Sequence, residues 1–200
     1  LPVPAEPPVI EGLESPNVRA GETLRLLCVA RGGNPPPSLH WDKDGTPLGG
    51  SWITGGPRGG SRSPLTLLVT PVDDGVTLRC RSPEASTSIT LRVTYPPSEV
   101  TITGTPSVVE NGSVTLSCSS APSNPPVRLR WWLGGRQLVP SETSQSQAEG
   151  RGWVSVANVS IPGRREDHGR PLLCEAATAG MGTRSAATVL SVSRACALGA

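Results

Sequence analysis

Apolar residues along this chain recur at every second position in short runs, and the runs come in two sets. In the first half Leu24, Leu26 and Cys28 alternate with other residues, as do Leu39 and Trp41, Leu65, Leu67 and Val69, Leu78 and Cys80, and Ile89, Leu91 and Val93. In the second half the series is Val114, Leu116 and Cys118; Leu129, Trp131 and Leu133; Val154 and Val156; Leu172 and Cys174; Leu190 and Val192. A period of two marks strands with one buried face, so the named residues are expected to point into a core. No comparable window has a helical period, because 23 glycines and 22 prolines interrupt every candidate. One short helical turn is expected before the fourth run of each half, over residues 71–74 and 164–167. The fold class is all-β.

The two sets are copies of one another. Cys28, Trp41 and Cys80 are answered by Cys118, Trp131 and Cys174, the first cysteine and the tryptophan at an offset of 90 residues and the second cysteine at 94. A repeat of this size divides the chain into two domains. The Cys, Trp, Cys spacing resembles the immunoglobulin sandwich, in which a disulfide joins the two sheets and a buried tryptophan packs against it. That resemblance implies two tandem immunoglobulin-like β-sandwich domains of C2/I type, end to end. Cys28 would pair with Cys80 and Cys118 with Cys174, with Trp41 and Trp131 as the core tryptophans. The expected boundaries are a linker over residues 1–7, a first domain over 8–95, a second over 96–193 and an atypical tail over 194–200. Thr94-Tyr95-Pro96-Pro97-Ser98 lacks glycine and reads as a semi-rigid joint. Asn34-Pro35-Pro36 and Asn124-Pro125-Pro126 mark equivalent loops after the first cysteine of each domain.

Cysteine usage changes the picture further, since disulfides persist outside the reducing cytosol. The chain is therefore expected on the extracellular side. It shows neither a signal-peptide pattern nor an apolar run of the ~20 residues that a membrane helix needs, so it reads as a mature ectodomain or a piece of one, with no membrane contact of its own. A net charge of +2 offers no electrostatic case for nucleic acid. Lys43 is the only lysine, and the resulting arginine excess fits either recognition of carboxylate, sulfate or phosphate groups or a coding bias. Catalysis finds no support: His40 and His168 fall in different domains and no triad or phosphate loop is present. No metal site and no cofactor are expected.

Several longer strings go beyond the domain signature. Pro7-Pro8-Val9-Ile10-Glu11, Val18-Arg19-Ala20-Gly21, the run from Cys28 to Pro35, Arg130-Trp131-Trp132-Leu133-Gly134, Arg136-Gln137-Leu138 and Arg164-Arg165-Glu166-Asp167-His168-Gly169 resemble the nephrin family of immunoglobulin-superfamily adhesion proteins. The likeness runs from about Pro7 to Val192. It implies adhesion at cell–cell junctions within a glycosylated single-pass membrane protein, with protein partners that are either copies of itself or related Neph-type (kin-of-irregular-chiasm) proteins. A ligand-binding receptor or soluble decoy is the alternative, and a spacer role for these two domains also stands.

Four features remain as candidates. Period two places Trp132 opposite core Trp131, either as an interface anchor or sheltered by its neighbours. Asn111-Gly112-Ser113 and Asn158-Val159-Ser160 are N-glycosylation sequons, whereas proline disqualifies Asn34 and Asn124. Cys196 is unpaired, which fits either an intermolecular or reactive thiol or a truncated terminus. Leu78 and Leu172 occupy the positions where many immunoglobulin domains carry a corner tyrosine, so those corners are expected to be held by packing and by carboxylate contacts of Asp73 and Asp167.

Overall fold

The alternating runs become two sandwiches in the structure, a computed structural model that describes residues 1–196. The chain divides into two compact units, Leu1–Thr94 and Tyr95–Ala200. In the first unit the strands are β1 (Val3–Ala5), β2 (Val9–Glu11), β3 (Asn17–Arg19), β4 (Thr23–Ala30), β5 (Gly32–Asn34), β6 (His40–Lys43), β7 (Thr46–Pro47), β8 (Ile53–Thr54), β9 (Ser61–Leu68), β10 (Thr77–Arg81), β11 (Ser86–Thr90) and β12 (Arg92–Thr94). They form antiparallel sheets in the orders β2-β4-β9-β8 and β11-β10-β6-β7, while β12 runs parallel to β3. Residues 3–5, expected within a linker, pair with β5, Val3 opposite Asn34 and Ala5 opposite Gly32.

The second unit repeats the plan with β13 (Val100–Thr103), β14 (Ser107–Val109), β15 (Ser113–Ser120), β16 (Arg128–Leu133), β17 (Arg136–Leu138), β18 (Glu142–Gln147), β19 (Trp153–Pro162), β20 (Pro171–Thr178), β21 (Gly182–Val189) and β22 (Ser191–Ser193). Its sheets are ordered β13-β15-β19-β18 and β17-β16-β20-β21, and β14 runs parallel to β22. Tyr95, expected to end the first domain, is built into this unit. It is buried, exchanges backbone hydrogen bonds with Asn124 at 2.8 and 3.1 Å, and its hydroxyl lies against Gly152.

Both cores follow the expected landmarks. Disulfides Cys28–Cys80 and Cys118–Cys174 join the two sheets of each unit. Trp41 and Trp131 are buried beside them, and each indole N–H donates across the sandwich, to the Ser63 carbonyl at 3.1 Å and the Ala157 carbonyl at 3.0 Å. A buried tryptophan needs such a partner for its one polar atom. One strand is phased differently from expectation. On β19 the buried residues are Ser155, Ala157, Val159 and Ile161, so Val154 and Val156 face outward. Valines on both sides of that strand make its period-two pattern ambiguous, and a one-residue slip exchanges the faces.

The helical turns appear as 3-10 turns over Pro71–Asp73 and Arg165–Asp167, each with a buried aspartate. In the corner tyrosine positions Leu78 and Leu172 are fully buried and contribute packing alone. Asp73 accepts from the Thr70 backbone N–H at 2.8 Å, the Thr70 hydroxyl at 3.2 Å and the Lys43 ammonium at 2.5 Å. Asp167 is held more loosely, with Arg136 at 3.5 Å and Arg170 at 4.0 Å.

Each corner is also tied to the final strand by the next residue along. In the first unit the Val93 N–H donates to the Asp74 carboxylate at 2.9 Å, and in the second the Val192 N–H donates to Nδ1 of His168 at 3.0 Å. Accepting at Nδ1 requires the neutral imidazole with its proton on Nε2. His168→Ala is expected to lower the stability of the second domain by about 1 kcal/mol in urea denaturation, while His168→Asp, which restores the acceptor used by the first domain, keeps most of it. Equal stabilities for the two variants would show that the bond contributes nothing.

Candidate functional site

Trp131 and Trp132 are adjacent on β16, so one must face the core and the other the outside of the sheet. Trp131 is buried and Trp132 is half-buried. Register sets the neighbours of Trp132: Gln137 on β17, Leu173 on β20 and, beyond Leu173, Ala187 on β21. The next outward layer pairs Pro171 with Val189, which is 57% exposed. On the other side Arg130, Glu175 and Ser185 form a polar layer. The result is an apolar patch of Trp132, Leu173, Ala187, Pro171 and Val189 with a charged rim. The ring is flanked by these neighbours and belongs to an open apolar face. Its indole N–H is buried without a hydrogen-bond partner, a costly arrangement for a donor.

The same layer of the first unit is built from charges. Asp42 stands next to Trp41 as Trp132 stands next to Trp131, and its cross-strand neighbours are Arg79 and then Ser88. The Asp42 side chain, only 4% exposed, accepts from Arg79 Nε at 3.0 Å, lies 3.5 Å from Arg81 Nε and caps the Gly45 N–H at 3.2 Å. One carboxylate thus orients two guanidinium groups on an otherwise open sheet. His40, on the same outer face, meets Trp52 edge-on at a centroid distance of 5.0 Å. Sequence reading did not single out this clamp; the signal available was the 90-residue offset that places Asp42 in register with Trp132.

The remaining candidates lie apart from both faces. Asn111 sits exposed in the turn before β15 with φ of 67°, and Ser113 of its sequon is also exposed. Asn158 is half-buried on the outer face of β19, between Ser117 and Glu142, and Ser160 is exposed. Cys196 is exposed and free, while 197–200, the end of the expected tail, lie outside the described residues. Among the described residues no group of three His, Cys, Asp or Glu side chains could hold a metal ion. His40 and His168 fall in different units, as their sequence positions required. No helix among the described residues is long and apolar enough to cross a membrane.

Comparison with known proteins agrees with this architecture. The family model for the immunoglobulin domain matches residues 7–82, and that for the CD80-like C2-set immunoglobulin domain matches residues 100–185. The chain is 48% identical to nephrin of Homo sapiens and 46% identical to nephrin of Rattus norvegicus, each over 181 residues and 86% of this chain. It spans only 15% and 14% of the length of those proteins. Kin of IRRE-like protein 2 of Homo sapiens is 35% identical over 150 residues, covering 68% of this chain and 21% of that protein. Among solved structures, Rst D1-D2 superimposes with a TM-score of 0.70 at 21% identity, covering 94% of this chain and all of that one, which supports the fold. The chain belongs to the immunoglobulin superfamily, as two consecutive immunoglobulin domains homologous to a stretch of the nephrins.

Proposed function

We propose that this chain is an extracellular segment of a nephrin-like cell–cell adhesion protein and that it binds other immunoglobulin domains, its own kind or Neph-type relatives. It would act at cell junctions as part of a longer single-pass membrane protein, with Asn158 and Asn111 as glycan acceptors. Kinship to nephrin and to Kin of IRRE-like proteins supports this reading. The observation that carries it is the patch around Trp132. In the second unit Trp132, Leu173 and Ala187 fill the layer that Asp42, Arg79 and Ser88 fill in the first, so the sheet does not require apolar groups there. A half-buried tryptophan ringed by small and aliphatic groups with a charged rim is the usual anatomy of a contact centre. Single contacts of this size are weak and gain strength from many copies across a junction.

Beads coated with the fragment test this directly. The expected result is aggregation, or capture of a Kin of IRRE-like ectodomain, with Trp132→Ala weakening it about tenfold or more while the unfolding transition stays in place. Binding that survives both Trp132→Ala and Leu173→Ser would remove the patch from the reading. A second reading, a receptor for an anionic ligand, is favoured by the arginine pair held by Asp42. Retention on immobilised heparin without bead aggregation, lost in Arg79→Ala, would support it instead.

A further inference from the structure

The outer face of the other sheet in the first unit has an apolar centre bordered by Glu11, Arg25 and Arg62, and the adhesion reading does not use it. On β4, Leu24, Leu26, Cys28 and Ala30 point inward, leaving Leu27 and Val29 half-buried on the outside. Register aligns Val9, Val29, Arg62 and Ile53 in one row across β2, β4, β9 and β8, and Glu11, Leu27 and Pro64 in the next. Val9 is 57% exposed, Ile53 68% and, farther along β9, Leu68 61%. The equivalents of Leu27 and Val29 in the second unit are Ser117 and Ser119, on the face that carries the Asn158 sequon. The first unit has Asn17 and Asn34 but no sequon, so no N-glycan attached within it would cover its face. The apolar pair at the centre of β4 is thus a property of the first domain; on the same face of the second, the outward apolar groups are Val154 and Val156 of β19.

We propose that this face associates with the same face of a second copy of the chain about a two-fold axis. The arrangement of charges selects that occupant. Glu11 lies at one side of the Leu27–Val29 centre, on β2, and Arg62 lies diagonally across it on β9. Neither takes part in an ion pair among the described residues. A two-fold axis in the plane of contact, crossing β4 between Leu27 and Val29 and perpendicular to that diagonal, brings Glu11 of each copy opposite Arg62 of the other. The face is self-complementary in the way an isologous interface requires. Four strands at ~4.8 Å spacing and five or six residues at ~3.3 Å rise cover roughly 300–400 Å². That is less than half of the ~800 Å² per partner of a standard stable interface, so the dimer is weak and depends on copy number, as the patch around Trp132 does, but it forms independently of that patch.

Sedimentation equilibrium of the two-domain chain at concentrations up to the millimolar range tests the proposal. The expected result is a monomer–dimer equilibrium that Pro64→Glu or Val29→Glu weakens about tenfold or more. Glu11→Arg and Arg62→Glu each weaken it several-fold, and the double exchange of the two charges restores it. That restoration is a readout that mere misfolding of a single variant cannot mimic. Measured in a Trp132→Ala background, which removes the other patch, the equilibrium should persist with the same response to Pro64→Glu and to the charge exchange, so failure here and failure of the adhesion reading are separate results. A strictly monomeric Trp132→Ala chain, self-association insensitive to Pro64→Glu and Val29→Glu, or single charge variants not rescued by the double exchange would each overturn it.

Discussion

Replacing Cys118 and Cys174 together by alanine is expected to lower the stability of the second domain by about 4 kcal/mol, the chain-entropy value for opening a loop of this length. The two residues are 56 apart in sequence and join β15 to β20, the central elements of opposite sheets. Without the link the unfolded chain regains the freedom of the whole loop, while the native sandwich also loses two fully buried sulfur atoms from the cluster around Trp131. For a domain of ~100 residues such a loss lowers the midpoint by roughly 15–30 °C. Calorimetry should show one transition moving by that amount and the other staying in place, since each unit has its own core and its own disulfide. A shift of only a few degrees would mean that the packing around Trp131, and not the covalent link, supports the domain.

The second large effect is expected at Asp73. Burial by itself raises the pKa of this carboxyl, but the hydrogen bond from Lys43, the Thr70 backbone N–H, the Lys43 charge and the Thr70 hydroxyl together outweigh it and hold the value below that of an ordinary aspartate. A folded-state pKa below the unfolded value of about 3.9 contributes stability that is present above that pH and is lost as pH falls through the folded value. The first domain should therefore weaken in acid below about pH 4. Asp73→Asn should cost about 2 kcal/mol at neutral pH, because Lys43 loses a charged partner and the Thr70 N–H a charged acceptor. Lys43 is 31% exposed and water recovers part of its loss, which keeps the figure below that of a fully buried pair. In the variant the acid slope should flatten, as urea midpoints between pH 3 and pH 7 would show. Asp167→Asn should cost less, since its two arginines stand 3.5 and 4.0 Å away. If the two variants cost the same, tight partnering at the first corner is not what stabilises it.

How legible these features were in the chain depends on how local their causes are. Strands carrying a cysteine or core tryptophan were phased correctly, because a disulfide or a buried indole selects one of the two faces. β19 has neither, and with Val154 and Val156 on one face and Val159 and Ile161 on the other its phase was decided by packing against β15 and β18. The 3-10 turns were readable from proline and acidic residues near the corners. Which partner each aspartate takes was not, since Lys43 lies 30 residues from Asp73 and meets it only when β6 and β10 pair.

The contact faces divide in the same way. Trp132 was visible because alternation alone sends it to the side opposite Trp131. Leu173, Ala187 and Val189 become its patch only through the register of β16, β20 and β21, and the Asp42 clamp arises only because Arg79 falls opposite it and Arg81 next along β10. The apolar centre on the outer face of the first unit, with Glu11 and Arg62 diagonally across it, needs strands from distant parts of the chain to align. Local order in the sequence therefore determined the two sandwiches, their disulfides and their core tryptophans, since period, turn residues and a repeated trio act over a few positions. Tertiary structure alone decided which outer faces are ionic and which apolar, because a sheet face is assembled across strands and its character belongs to the pairing.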